Sequence, residues 1–95
     1  MQVAARGRLE SAEINSIYFG IWSDAAAMEY LQTAEGIRPD VLVINTFLIH
    51  PETQRILIAN TLEAGQAVYT VHKDPMLARA FRLTQLPYSF QLNQP

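Results

Sequence analysis

Three short apolar runs constrain the fold of this chain more than any other feature. They are IYFGI (residues 17–21), VLVI (residues 41–44) and AVYTV (residues 67–71). Each is rich in β-branched or aromatic residues and lacks polar alternation, which is typical of strands that are buried on both faces. Such strands need helices on both sides of their sheet, so the segments between them should be helical.

Helix signals do occur between and after these runs. SDAAAMEYLQTAE follows the first run and stops at Gly36, a residue that commonly ends helices. HPETQRILIANTLEAG has Pro51 in its first turn and Gly65 at its end. In DPMLARAFRL, Asp74 followed by Pro75 predicts the start of a third helix.

The two ends of the chain differ from this pattern. In the tail LPYSFQL, Tyr88, Phe90 and Leu92 alternate with polar residues. This alternation predicts a strand with one solvated face, which fits a sheet edge and an antiparallel neighbour. Residues 1–14 are expected to form a leading helix or linker.

Together these elements predict one α/β domain over residues 1–95, in the order β-α-β-α-β-α-β. Right-handed crossovers between buried strands favour a small three-layer, Rossmann-like domain with a mostly parallel sheet. We expect the 95 residues to be a fragment of a longer chain.

Composition excludes several classes of function. The net charge is −2 and the seven basic residues are scattered, so no basic patch indicates a nucleic-acid partner. The longest apolar stretch, VLVINTFLI, is far shorter than the roughly 20 residues that span a bilayer. No cysteine is present, which excludes disulfides, thiolate metal sites and a cysteine nucleophile.

A site would lie where parallel strands end, because open α/β sheets bind ligands beyond their carboxyl ends. The candidate ligand-binding residues are those expected at this edge: Trp22, Asp24, Asn45, Thr46, His50, His72 and Lys73. Histidines, a lysine and helix N-termini together would suit an anion such as phosphate or carboxylate.

Simpler roles are favoured for most of these residues taken singly. Asp24, or Ser23 beside it, is expected first to cap the following helix, and His50 and His72 to be turn residues. A metal site of Asp24 with both histidines lacks any recognised ligand spacing, so no metal is predicted. Trp22 is more typical of a core or an interface than of a stacking platform.

No motif specifies a reaction. GIWSDA carries one glycine where a dinucleotide fingerprint has three, and neither a phosphate-binding P-loop nor a G-x-S-x-G elbow occurs. We predict no cofactor and no catalytic residue, and whether the parent protein is an enzyme stays open.

The segment from residue 15 to residue 49 resembles part of a family of bacterial multi-spanning membrane proteins related to GT-C-type, protein O-mannosyltransferase-like glycosyltransferases. The resemblance rests on Asn15 before the first strand, Asp24 in its loop and Asn45 at the end of the second strand. It also rests on Tyr-Leu-Gln at 30–32, Glu-Gly-Ile-Arg at 35–38 and Asp-Val at 40–41. The loop GIWSDAAA keeps Asp24 but lacks the other acids and amides typical there.

The resemblance implies a non-catalytic soluble accessory domain, membrane-attached through its parent chain and extracytoplasmic. Its partner would be the transmembrane part of that chain. The domain would bind an acceptor or sugar, such as a glycan, or brace the membrane part. The alternative is a stand-alone module that binds an anionic or sugar ligand at the strand ends. A minimal enzyme ranks last because no nucleophile–base pair is evident.

Overall fold

The computed structural model describes residues 2–95 and shows an α/β domain with four helices and a five-stranded sheet. Residue 1 of the predicted leading segment lies outside the described residues. The helices are α1 (Gln2–Ser11), α2 (Trp22–Glu35), α3 (Pro51–Glu63) and α4 (Pro75–Ala80), with a short 3₁₀ turn over Thr46–Leu48. The strands are β1 (Ile17–Gly20), β2 (Leu42–Asn45), β3 (Val68–Thr70), β4 (Arg82–Gln85) and β5 (Phe90–Asn93).

The sheet is mixed and has the strand order β2-β1-β3-β5-β4. β1 pairs in parallel with β2 and with β3, as the three apolar runs predict. β5 is antiparallel to both β3 and β4. Two of the four pairings are therefore antiparallel, so the sheet is not mostly parallel.

The prediction of a sheet edge for the last strand is wrong. β5 lies inside the sheet because Arg82–Gln85 forms the edge strand β4, although the sequence assigns Arg82 and Leu83 to the end of the third helix. α4 ends at Ala80, and Phe81 already has extended backbone angles. From there the pattern is strand-like, since Leu83 packs on the core while Arg82 and Thr84 are exposed.

The core has two halves, one on each face of the sheet. α1 and α2 cover one face, where Leu9, Met28 and Leu31 are fully buried against Tyr18 of β1. α3 and α4 cover the other, and Ile58 and Leu77 pack there with residues of β1, β3 and β5. Helices on both faces give the domain its three layers, and they explain why β1 and β3 read as continuous apolar runs.

The position of α1 also explains why one face of the last strand is not solvated as the sequence predicts. The polar face of β5 was expected to be solvated, but Ser89 is buried, and its Oγ accepts a hydrogen bond from the Tyr18 hydroxyl. Arg8 of α1 donates from Nε to the carbonyl oxygen of Tyr88 at 2.9 Å. α1 therefore covers the face of the last strand that the alternating pattern predicts to be solvated. Burial raises the pKa of Tyr18.

A polar pair fixes the connection between α1 and β2. The guanidinium of Arg38 donates to the carbonyl oxygens of Leu9 and Ala12, at 2.9 and 2.7 Å, near the end of α1. It also donates two hydrogen bonds to the carboxylate of Asp40, which accepts a third from the backbone N–H of Asn15. These bonds to its charged form hold the pKa of Asp40 well below its usual range.

Candidate functional site

The carboxyl ends of β1, β2 and β3 lie side by side, because each of the parallel strands ends in register with its neighbour. Gly20 of β1 is level with Asn45 of β2, and Phe19 is level with Thr70 of β3. We call the residues that follow these three ends the carboxyl-end rim. The rim is where the sequence predicts a site, and it is the place at which α2 begins.

Three charged or titratable side chains meet at the rim. Nε2 of His72 lies 2.9 Å from Oδ2 of Asp24, within hydrogen-bond distance. Nη1 of Arg8 lies 3.5 Å from Oδ1 of the same carboxylate. We call Arg8, Asp24 and His72 the rim cluster. It joins α1, the first turn of α2 and the segment after β3.

The three side chains of the cluster differ in their exposure to solvent. The side chain of Arg8 is 12 % exposed, that of Asp24 is 25 % exposed and that of His72 is 56 % exposed. Arg8 is further fixed by its hydrogen bond to the backbone of Tyr88. The imidazole therefore presents an accessible edge to solvent, while the carboxylate and guanidinium that orient it are held by the fold.

Local sequence explains why these side chains can meet. A β-carbon at Gly20 would lie 3.3 Å from the backbone nitrogen of Ala25 and 3.4 Å from Cβ of Asp24. Glycine at the end of β1 thus permits the close approach of the first turn of α2. On the other side, Oγ1 of Thr70 donates to the carbonyl oxygen of His72 at 3.1 Å and fixes the turn that carries the imidazole.

The capping prediction for Asp24 is wrong. The N-cap of α2 is Ile21, which supplies no side-chain hydrogen bond, and Asp24 lies within the first turn of the helix. Its hydrogen bond goes across the rim to His72. A carboxylate in the first turn still interacts favourably with the helix dipole. For Asp74 the capping prediction is confirmed, because its Oδ1 accepts from the N–H of Met76 at 2.8 Å.

Of the remaining candidate residues, Asn45, Thr46 and His50 lie at or after the end of β2, and Lys73 follows His72. His50 begins α3, and its Nδ1 accepts a hydrogen bond from the N–H of Glu52 at 3.1 Å, which makes it a cap. Lys73 is exposed beside His72. Asn45 caps the 3₁₀ turn by accepting from the N–H of Phe47 at 3.0 Å, and Oγ1 of Thr46 lies 3.5 Å from the carbonyl oxygen of Gly20.

Trp22 lies at the outer side of the rim rather than in the core. Its ring stacks on that of Phe47, with centroids 6.0 Å apart and planes 15° apart. The two residues are 58 % and 65 % exposed. Below them, a groove of about 390 Å³ runs between α2 and β2 and is lined by Trp22, Asn45 and Leu48 among others.

The arrangement offers polar groups to a ligand. A carboxylate and a guanidinium beside an accessible imidazole offer both acceptors and donors to a polar ligand. The chain has no cysteine, and the hydrogen bond of the His72 ring goes to Asp24 rather than to a hydroxyl nucleophile. Within residues 2–95, no group of three or more histidine and acidic side chains is placed to hold a metal ion.

Sequence reasoning missed Arg8 and Phe47. Arg8 belongs to a segment that was expected to be a helix or linker without a role in the site. The spacing of Ala5, Leu9 and Ala12, which are all buried, is the signal that α1 packs on the sheet. Nothing in the local sequence indicates that Phe47 stacks on Trp22.

Comparison with known proteins finds no match to this chain among family models, curated proteins or solved structures. Across residues 2–95, no helix is long and apolar enough to cross a membrane.

Proposed function

We propose that this chain is a non-catalytic ligand-binding domain that takes an anionic or sugar ligand at the carboxyl-end rim. The observation that carries the proposal is the rim cluster, in which Asp24 joins His72 and Arg8 at the ends of three parallel strands. Three separate elements meet there at the carboxylate of Asp24, and the imidazole of His72 is accessible beside it. An Asp24–His72 ion pair that served only to stabilise the fold would not require His72 to be half-exposed.

The charges of the rim favour a ligand that carries both hydroxyls and negative charge. Arg8 places its guanidinium 3.5 Å from the carboxylate of Asp24, and Lys73 is exposed beside His72. Sugar hydroxyls can donate to the carboxylate, and a phosphate can accept from the guanidinium and the imidazole. A sugar phosphate combines both and is the ligand class to test first.

The resemblance to GT-C-type glycosyltransferase relatives supplies a context for the proposal. In that context the chain is an accessory domain of a membrane-attached parent protein, positioned outside the cytoplasm, and the transmembrane part of the parent is its partner. Binding of an acceptor or sugar by this domain would then present that molecule to the catalytic membrane part. The parallel half of the sheet, with its helical crossovers, supports a Rossmann-like assignment as part of the same proposal.

Isothermal titration calorimetry with mannose 1-phosphate, mannose and inorganic phosphate tests the proposal. We expect saturable binding of one of these ligands and at least a tenfold loss of affinity in His72→Ala. The control is His50→Asn, which removes the other rim histidine but keeps a capping side chain at the start of α3. Absence of saturable binding, or equal affinity in His72→Ala and the wild type, would contradict the proposal.

Asp24→Asn separates the two ligand types. Removing the negative charge should tighten the binding of an anion, because the carboxylate competes with it for Arg8 and His72. The same change should weaken a neutral sugar, because an amide oxygen is a poorer acceptor than a carboxylate. An unchanged affinity for every ligand would show that Asp24 does not contact any of them.

A further inference from the structure

The two edges of the sheet differ in a way that points to a second interaction surface. β4, at one edge, carries exposed Arg82, Thr84 and Gln85. β2, at the other edge, is Leu-Val-Ile-Asn and has no charged residue, and Leu42 is 54 % exposed. Both strands are four residues long, so length does not distinguish them. Charged side chains protect edge strands from pairing with other chains, and β2 has none.

The backbone of β2 offers hydrogen-bonding groups to a further strand. The N–H of Leu42 donates to the carbonyl oxygen of Ser16, so Leu42 points its backbone groups toward β1. Since these groups alternate along a strand, the N–H and C=O of Val43 point away from the sheet. The neighbouring outward carbonyl, that of Val41, accepts from Nε2 of Gln32 at 2.6 Å. By the same alternation the next outward residue is Asn45, so Val43 and Asn45 are the two residues of β2 whose backbone groups face away from β1.

Exposed apolar side chains lie beside this edge. We call Trp22, Leu42, Phe47 and Leu48 the apolar edge patch; they are 58, 54, 65 and 69 % exposed. Leu42 lies on the α3 side of β2, and Trp22 and Leu48 line the groove on the α2 side, so the patch covers both sides of the edge. With about 200 Å² for a large side chain, they present on the order of 500 Å² of apolar surface. Two such patches reach about 1,000 Å², the area that a specific protein interface requires.

We propose that the chain forms a symmetric dimer through antiparallel pairing of β2 with β2 of a second copy. A two-fold axis at Val43 lets the two valines exchange both N–H···O=C hydrogen bonds. In this register Leu42 lies opposite Ile44 of the second copy, on the same face of the sheet. The partly buried Ile44 gains an apolar cover, and the result is a continuous ten-stranded sheet across the two copies.

A second copy fits this surface better than a charged or membrane partner does. Pairing about Val43 is self-complementary because the outward N–H of each valine meets the outward C=O of the other. The patch beside it has no basic side chain for anionic headgroups. The dimer does not depend on the proposed ligand site, because the rim cluster lies at α1, the start of α2 and the segment after β3.

Sedimentation velocity over a concentration series tests the dimer. We expect the wild type to dimerise and Leu42→Lys and Phe47→Glu each to weaken the dimer at least tenfold. The control is Ile14→Lys, which places a charge at a 75 % exposed apolar residue outside the patch. A wild type that stays monomeric at millimolar concentration overturns the proposal. That result is the one expected if the patch binds a different protein chain.

Amide hydrogen exchange distinguishes strand pairing from other contacts. The Val43 amide should exchange slowly at dimer concentrations and at least tenfold faster in dilute solution or in Leu42→Lys. The Leu42 amide, which is bonded to Ser16 within one copy, serves as the internal control. A dimer in which the Val43 amide exchanges at the same rate as in the monomer would overturn the pairing through β2.

Discussion

Gly7→Ala should destabilise this protein, although the same change normally stabilises a helix. Gly7 lies in the middle of α1, where alanine is favoured over glycine by about 1 kcal/mol. The structure opposes this gain. A β-carbon at Gly7 would lie 2.7 Å from Cε2 and 2.9 Å from Cδ2 of Tyr88, too close for the ring to stay where it is.

The magnitude follows from the surface that Tyr88 buries. The residue is 45 % exposed, so its side chain buries roughly 100 Å² if a tyrosine presents about 200 Å². Complete displacement of the ring would forfeit about 2.5 kcal/mol. Because the ring has an exposed side toward which it can tilt, part of this contact survives. We expect a net loss of about 1 kcal/mol in the free energy of unfolding after the helix gain.

A double-mutant cycle isolates the clash. In the background of Tyr88→Ala, Gly7→Ala should raise stability by about 1 kcal/mol, so the coupling between the two sites is about 2 kcal/mol. Urea unfolding monitored by circular dichroism measures all four variants, and equal slopes would show that the denatured state is unchanged. The reasoning fails if Gly7→Ala stabilises the wild type as much as it stabilises Tyr88→Ala.

Three further outcomes follow from individual contacts. Tyr18→Phe should lower the free energy of unfolding by about 1–3 kcal/mol because it leaves the buried Ser89 hydroxyl unpaired. Adding Ser89→Ala to that variant should recover part of this loss, and thermal unfolding measures both variants. Asp40 has a lowered pKa in the folded state, so it contributes stability above the unfolded pKa of about 4 that is lost as pH falls through the folded value. Asp40→Asn should therefore flatten the fall in stability below pH ~4, and an unchanged acid profile would contradict this. Asp74→Ala should cost about 1 kcal/mol through loss of the cap of α4, whereas a cost near zero would show that Met76 finds another partner.

The parallel half of the fold is readable from sequence, because its signal is strong and local. Each of the three apolar runs is rich in β-branched or aromatic residues, and each is followed by a helix signal. The second run differs from the prediction in one respect, because it forms the edge strand β2 and its Leu42 is exposed. Strand order and the two final strands are not readable in this way. Arg82–Gln85 is four residues long and follows a six-residue helix without a glycine or proline between them, so no local signal separates α4 from β4.

The candidate site is predictable in position but not in composition. Parallel strands place Asp24 and His72 at one edge, and the structure brings these two together. Arg8 enters from α1, which is distant in sequence, so only tertiary packing shows its role. His50 lies near the same edge by topology, but its ring is used as a helix cap, which sequence spacing alone does not reveal.

Chemical shift perturbation on a ¹⁵N-labelled chain tests the central claim most directly, because it locates a ligand without assuming which residue binds it. During titration with mannose 1-phosphate, we expect saturable shifts concentrated at Arg8, Asp24 and His72, with small changes at His50. Saturable shifts centred anywhere else, or no shifts at millimolar ligand, would contradict a binding site at the carboxyl-end rim.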